Sequence, residues 1–136
     1  MSVVVTRSEG IIVPLNTETG RRGEFLAAYI LESHGIECHH VNREGADLWC
    51  KVRDRVFTVE VKSASRQAKP SGNRKNSHYQ FHTLEKSAEF FCFVALDRQL
   101  VIMRPTALIT SGTTRISIAE FNEANQRRTI EELINP

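Results

Sequence analysis

The sequence predicts a single domain of the α/β (α+β) class, a mixed central sheet flanked by helices. Three observations carry that expectation. Residues 17–35 place apolar side chains at helical spacing, residues 45–62 hold two runs that alternate with period two around a charged turn, and residues 90–96 form a continuous apolar run. At 136 residues with 40% hydrophobic content, the chain suits one unit over 1–136 with its own core. A charged fraction of 25% and a formal net charge of +2 exclude a long disordered tail, and overall charge therefore says little about partners.

Taken in order, residues 1–16 offer two short β-like runs in "SVVVTRSEGIIVPLN", either extra strands of the sheet or an arm around a second subunit. The helix over 17–35, "TETGRRGEFLAAYILESHG", has threonines available as N-cap and Gly35 as the residue just past its end. Glu24 shares the stripe of Ala27, Ala28 and Leu31, which aims a carboxylate with small neighbours toward the sheet. The plainer alternative is an acid favoured by the helix N-terminus and paired with Arg21 or Arg22.

Gly45–Val52 and Arg55–Lys62 read as a hairpin turning at Arg53-Asp54. With Val52 opposite Arg55, Trp49 meets Thr58 and Asp47 meets Glu60. The other face collects Ala46, Leu48, Cys50, Phe57, Val59 and Val61. A slip by two residues leaves every side chain on the same face. Two opposed carboxylates, with Cβ atoms roughly 4.5 to 5.5 Å apart, repel one another. Something positive belongs there: either Lys62, two residues beyond Glu60 on the same face, or a divalent cation, since Mg²⁺ prefers one or two carboxylates plus water and substrate phosphate.

The segment from Val61 through Leu84 has no acidic residue and contains Lys62, Arg66, Lys69, Arg74 and Lys75 among Ser, Gly, Pro and Asn. It reads as a loop that tracks a phosphate backbone, with Arg21 and Arg22 on the helix as further phosphate contacts; a solvated surface loop is the bland alternative. His78, Gln80 and His82 share a face if "HYQFH" is extended; either histidine is a candidate accessory group for phosphate or water, ordinary surface residues being the favoured alternative. Phe90–Leu96 reads as a strand covered on both faces, turned by Asp97-Arg98 into Gln99–Arg104. The C-terminal part, 106–136, is expected to be helical, with Ser117 and Glu120 as a capping box and Phe121, Ala124, Ile130, Leu133 and Ile134 facing the sheet.

"GAD" at 45–47 followed one strand later by "VEVK" at 59–62 resembles the bipartite signature of the PD-(D/E)XK nuclease superfamily, with Ala46 standing where a proline often precedes the aspartate. Glu24 resembles the glutamate that many members carry on the first helix. Gln80, in "YQF" before a polar spacer and an apolar strand, is a candidate accessory group through the same resemblance, since several members carry an aromatic or glutamine near the metal site. The resemblance implies a restriction-endonuclease-like core of αβββαβ type over about residues 17–105. It implies Asp47, Glu60, Lys62 and Glu24 as catalytic residues. Asp47, Glu60, the Val61 carbonyl and Glu24 would hold Mg²⁺, with Mn²⁺ as substitute. The activity implied is a metal-dependent endonuclease hydrolysing phosphodiester bonds of duplex or branched DNA. Small size makes it most similar to stand-alone Holliday junction resolvases of the archaeal type and related phage enzymes, which act as homodimers. A restriction-type or repair nuclease stays open, and so does a non-catalytic nucleic-acid-binding or assembly subunit on the same fold.

Cys38, Cys50 and Cys92 lack any C-x-x-C spacing and read as small hydrophobes in a reducing compartment. The cluster His34, Cys38, His39, His40 is not expected to bind zinc, because strand alternation sends neighbours to opposite faces. Neither a signal peptide nor a membrane span is expected, which points to a protein inside the cell.

Overall fold

The first helix, α1, runs from Leu15 to Ser33, so Thr17 and Thr19 lie inside its opening turns rather than capping it as the sequence suggested. Its far end follows expectation. Gly35 adopts φ +89°, its N–H bonds Glu32 O at 3.0 Å, and the N–H of Ile36 bonds Leu31 O at 3.1 Å. That is a Schellman stop, which only a residue tolerant of the left-handed region closes without strain, and the buried Ile36 and Leu31 supply its apolar contact. The computed structural model describes residues 15–43, 46–66 and 77–136. Nearly all of the N-terminal strand or arm segment, together with Lys69, Arg74 and Lys75, lies outside the described residues.

After α1 come β1 (Glu37–Arg43), β2 (Ala46–Val52), β3 (Arg55–Ala64), β4 (His78–His82), β5 (Phe90–Ala95), β6 (Leu100–Pro105) and β7 (Thr113–Ser117), then α2 (Glu123–Ile134). Among the described residues five strands form a mixed sheet in the order β1-β2-β3-β5-β6. Only β3 and β5 run parallel; the other neighbours are antiparallel. The hairpin register is the one expected: Val52 faces Arg55, Cys50 faces Phe57, Trp49 faces Thr58 and Leu48 faces Val59. Arg53, at φ 55°, takes the left-handed turn position.

A parallel pair needs a crossover, and among the described residues this one carries strand β4, where the αβββαβ order has a helix. Strand β4 leaves the main sheet and pairs with β7 as a separate two-stranded sheet. The two sheets and two helices of the described residues make three layers. On one side of the main sheet, Leu48, Cys50, Phe57, Val59, Val61, Cys92, Val94, Val101 and Met103 pack under α1 and α2. On the other, Phe91, Phe93, Ala95 and Ile102 meet Tyr79 and Phe81 of β4, Ile116 of β7 and Phe121. The β5 strand is therefore buried on both faces, as its unbroken apolar run predicted.

The C-terminal stretch, 106–136, is not helical throughout as expected: β7 interrupts it, because Thr113–Ser117 pairs with β4, and α2 begins only at Glu123. Ser117 caps a single 3₁₀ turn, Ile118–Glu120, by accepting from Ala119 N at 3.3 Å, while Asn122 caps α2 by accepting from Asn125 N at 2.8 Å. Helix α2 then lies along β6, where Gln126 Oε1 accepts from Val101 N at 2.9 Å and Thr129 Oγ1 accepts from Met103 N at 3.2 Å.

Candidate active site and nucleic-acid cleft

The β2–β3 ladder ends at Leu48 and Val59, and the next backbone donor that β3 turns toward β2 is taken by a side chain. Asp47 Oδ2 accepts from Val61 N at 2.8 Å. In an extended strand the N–H and C=O of one residue leave on the same side, so the Val61 carbonyl faces the same gap as the Asp47 carboxylate. Glu60, one residue earlier, points to the sheet face opposite α1 with only 13% of its side chain exposed. Its Oε2 pairs with Lys62 Nζ at 3.0 Å, and among the described residues its Oε1 is buried without a hydrogen-bond partner. A buried carboxylate oxygen lacking a donor is costly and marks a place where something positive or protic is accommodated.

Glu24 reaches this end of the sheet from α1, on the buried stripe with Ala27, Ala28 and Leu31 as the spacing predicted. Burial, reinforced by the nearby charge of Asp47 and opposed by Arg21, raises its carboxyl from 4.5 to about 7. His40 Nδ1 lies 3.8 Å from Glu24 Oε1, and the His40 ring packs at 4.9 Å on Phe25. Sequence reasoning considered His40 only as a zinc ligand and set it aside; it sits opposite Leu48 on the helix side of β1, which brings it to Glu24.

A second feature escaped the sequence altogether. A Cβ on Gly23 would come 1.6 Å from Ser63 Oγ and 2.8 Å from Ser63 Cβ. The helix backbone rides directly on β3 there, which fixes the height of Glu24 over the sheet. Gly23 had no signal beyond being a weak helix former inside a helix.

Beside Lys62 opens a cleft of about 740 Å³ between the start of α1, the end of β3 and the outer side of β4. Lys62, Ser63 and Arg66 line one wall, Gln80 and His82 the other, and Gly20 of α1 closes one end. Gln80 and His82 share the exposed face of β4, as expected, with His78 half-buried on the same side. Arg21 and Arg22 are exposed on α1.

Among the described residues no three His, Cys, Asp or Glu side chains already stand together as a ligand cluster. The residues around Cys38–His40 have other engagements: His39 bonds Glu37 at 2.6 Å and Cys38 meets Cys50. Mg²⁺ asks for less than a full cluster, since water and substrate phosphate complete its octahedron. The Glu60 oxygen without a partner among the described residues and the Asp47 carboxylate beside the Val61 carbonyl are hard oxygen donors of the kind Mg²⁺ takes, and Asp47 is near enough to Glu24 to raise its carboxyl.

No helix among the described residues is long and apolar enough to cross a membrane. No protein-family model and no curated protein matches this chain. Among solved structures, the bacterial homing endonuclease I-Ssp6803I superposes with a TM-score of 0.59 at 16% identity, covering 77% of this chain and 76% of that one. The mixed α+β core described above is thus a fold that an endonuclease also uses.

Proposed function

We propose that this chain is a metal-dependent DNA endonuclease with a PD-(D/E)XK-type site. The observation that supports the reading is that Asp47 accepts from Val61 N at 2.8 Å where β2 and β3 part, between the Glu60 and Lys62 side chains, which pair with each other at 3.0 Å. Asp47, Glu60 and the Val61 carbonyl would hold Mg²⁺ or Mn²⁺, with Glu24 beside them. When bound, the ion neutralises charge building on the scissile phosphate. Lys62 orients the attacking water and either takes its proton or stabilises the charge of the transition state. The cleft lined by Arg66, Gln80 and His82 leads the strand past Lys62, and Arg21 and Arg22 hold the backbone by charge. Cutting both strands of a duplex or a junction takes two such sites, so the working unit proposed is a homodimer.

One observation favours a second reading, binding without cleavage. Lys62 closes on Glu60, and among the described residues the acids form no ligand cluster. A single experiment separates the two. Duplex, nicked, single-stranded and four-way-junction DNA are incubated with the protein in Mg²⁺, Mn²⁺ or EDTA, alongside Lys62→Ala and Asp47→Asn. The asparagine can still accept from Val61 N–H, so it removes charge without stranding that donor. Cleavage that requires the metal and is lost in both variants, with DNA binding retained by Lys62→Ala, supports the enzyme. Full activity in Asp47→Asn sinks the site, and binding with no cutting of any substrate selects the second reading. The junction arm decides whether the enzyme is resolvase-like.

A further inference from the structure

Cys38 and Cys50 stand directly opposite one another on β1 and β2, with their sulfurs 3.6 Å apart. The N–H of Cys38 turns away from β2 and donates to Glu32 Oε2 on α1 at 3.2 Å. The two cysteines therefore form a non-hydrogen-bonded pair of the antiparallel ladder, the kind in which Cα atoms lie about 4.5 Å apart and side chains are closest. That separation falls within the span of about 4.4–6.8 Å that a disulfide bridges. Closing the sulfurs from 3.6 Å to about 2.05 Å is within the reach of side-chain rotation.

We propose that Cys38 and Cys50 form a peroxide-sensitive dithiol that closes into a cross-strand disulfide. The two thiols are unequal in a way that suits this chemistry. Cys38 is half-buried, and the hydrogen bond from Cys50 pulls its thiol below the usual range, so it is the one that meets an oxidant as thiolate. Cys50 is buried, and its bond to Cys38 together with burial pushes its thiol up, which suits the resolving partner. Cys92 is fully buried in the same core, with its thiol pushed up by burial, and serves as an internal control.

The step balances with hydrogen peroxide as the two-electron oxidant. The Cys38 thiolate attacks one peroxide oxygen; the S–O bond forms, the O–O bond breaks, and the departing hydroxide leaves as water with a proton from solvent. The Cys50 sulfur then attacks the Cys38 sulfenic acid. The S–S bond forms, the S–O bond breaks, and the hydroxide leaves as a second water with the Cys50 proton. Two thiols are oxidised and one peroxide is reduced to two waters. The inference stands apart from the nuclease reading, because it needs neither metal nor DNA.

To test it, the reduced full-length protein is exposed to a small excess of peroxide, quenched with catalase, denatured, alkylated and digested with trypsin. Cys38 and Cys50 fall on separate tryptic peptides, Gly23–Arg43 and Glu44–Lys51. The expected result is a fall from three alkylatable thiols to one, Cys92, with those two peptides linked. In Cys38→Ser, where the half-buried position tolerates the change, both remaining thiols stay alkylatable. Three alkylated thiols after peroxide overturn the proposal. So does a Cys50–Cys92 link, or a Cys38 that gains two oxygens while Cys50 stays free.

Discussion

Replacing Glu24 with Gln keeps the shape of the side chain and removes a charge that the fold disfavours. Burial first, and the charge of Asp47 second, raise the carboxyl from 4.5 to about 7. A folded-state value above the unfolded one means that Glu24 contributes its full stability below about pH 4.5 and loses it as pH rises through about 7. At about 1.4 kcal/mol per pH unit, the interval corresponds to a ceiling of about 3.4 kcal/mol. With 31% of the side chain exposed, solvent screening reduces the realistic penalty at pH 8.5 to about 1–2 kcal/mol. Urea unfolding of wild type and Glu24→Gln in EDTA, at pH 5 and pH 8.5, measures it. The variant is expected to gain about 1–2 kcal/mol on the wild type between those pH values. Repeating the pair in a His40→Asn background removes the imidazole 3.8 Å away from the comparison. Added Mg²⁺ at pH 8.5 should narrow the gap by favouring the wild-type carboxylate. An advantage that does not change with pH would refute the argument that an uncompensated buried charge sits there.

Gly23→Ala should lower stability by about 1–3 kcal/mol in thermal or urea unfolding despite the better helix propensity of alanine, because the clash reaches Ser63 Cβ at 2.8 Å. An unchanged midpoint would show that α1 can lift off β3. Tyr79→Phe removes the 2.7 Å bond from the Tyr79 hydroxyl to Asp97 and should cost about 0.5–1.5 kcal/mol, read in the same assay. Arg66→Ala, on the cleft wall, should weaken DNA binding and reduce the salt slope by about one; an unchanged slope would take Arg66 out of the phosphate path.

The hairpin was legible to its register because alternation with period two fixes faces and a two-residue charged turn fixes the offset. The stop at Gly35 was legible because few residues tolerate that conformation. The start of α1 was not, since serviceable cap residues such as Thr17 also sit acceptably inside a helix. The pairing of β4 with β7 was hidden for a different reason. "HYQFH" and "TTRIS" are short, polar on one side and far apart in sequence, so neither announces its partner. The candidate site divides along the same line. Glu24, Asp47, Glu60 and Lys62 could be singled out from local periodicity, whereas Gly23 against Ser63, His40 against Glu24, and Cys38 against Cys50 depend on how elements dock or on a register read between β1 and β2.

The two side chains that α2 sends to β6 have a consequence for how this sheet meets other molecules. Leu100, Val101, Ile102 and Met103 form an apolar strand on the outer rim of the main sheet, the sort of rim onto which a foreign strand can add. The outward donors of Val101 and Met103 are already occupied by Gln126 and Thr129. An incoming strand would first have to evict a helix whose Ile130 and Leu133 are anchored in the core. Growth of the sheet by one more strand is blocked on that flank, and the two bonds that close it against fibre-like association come from uncharged side chains.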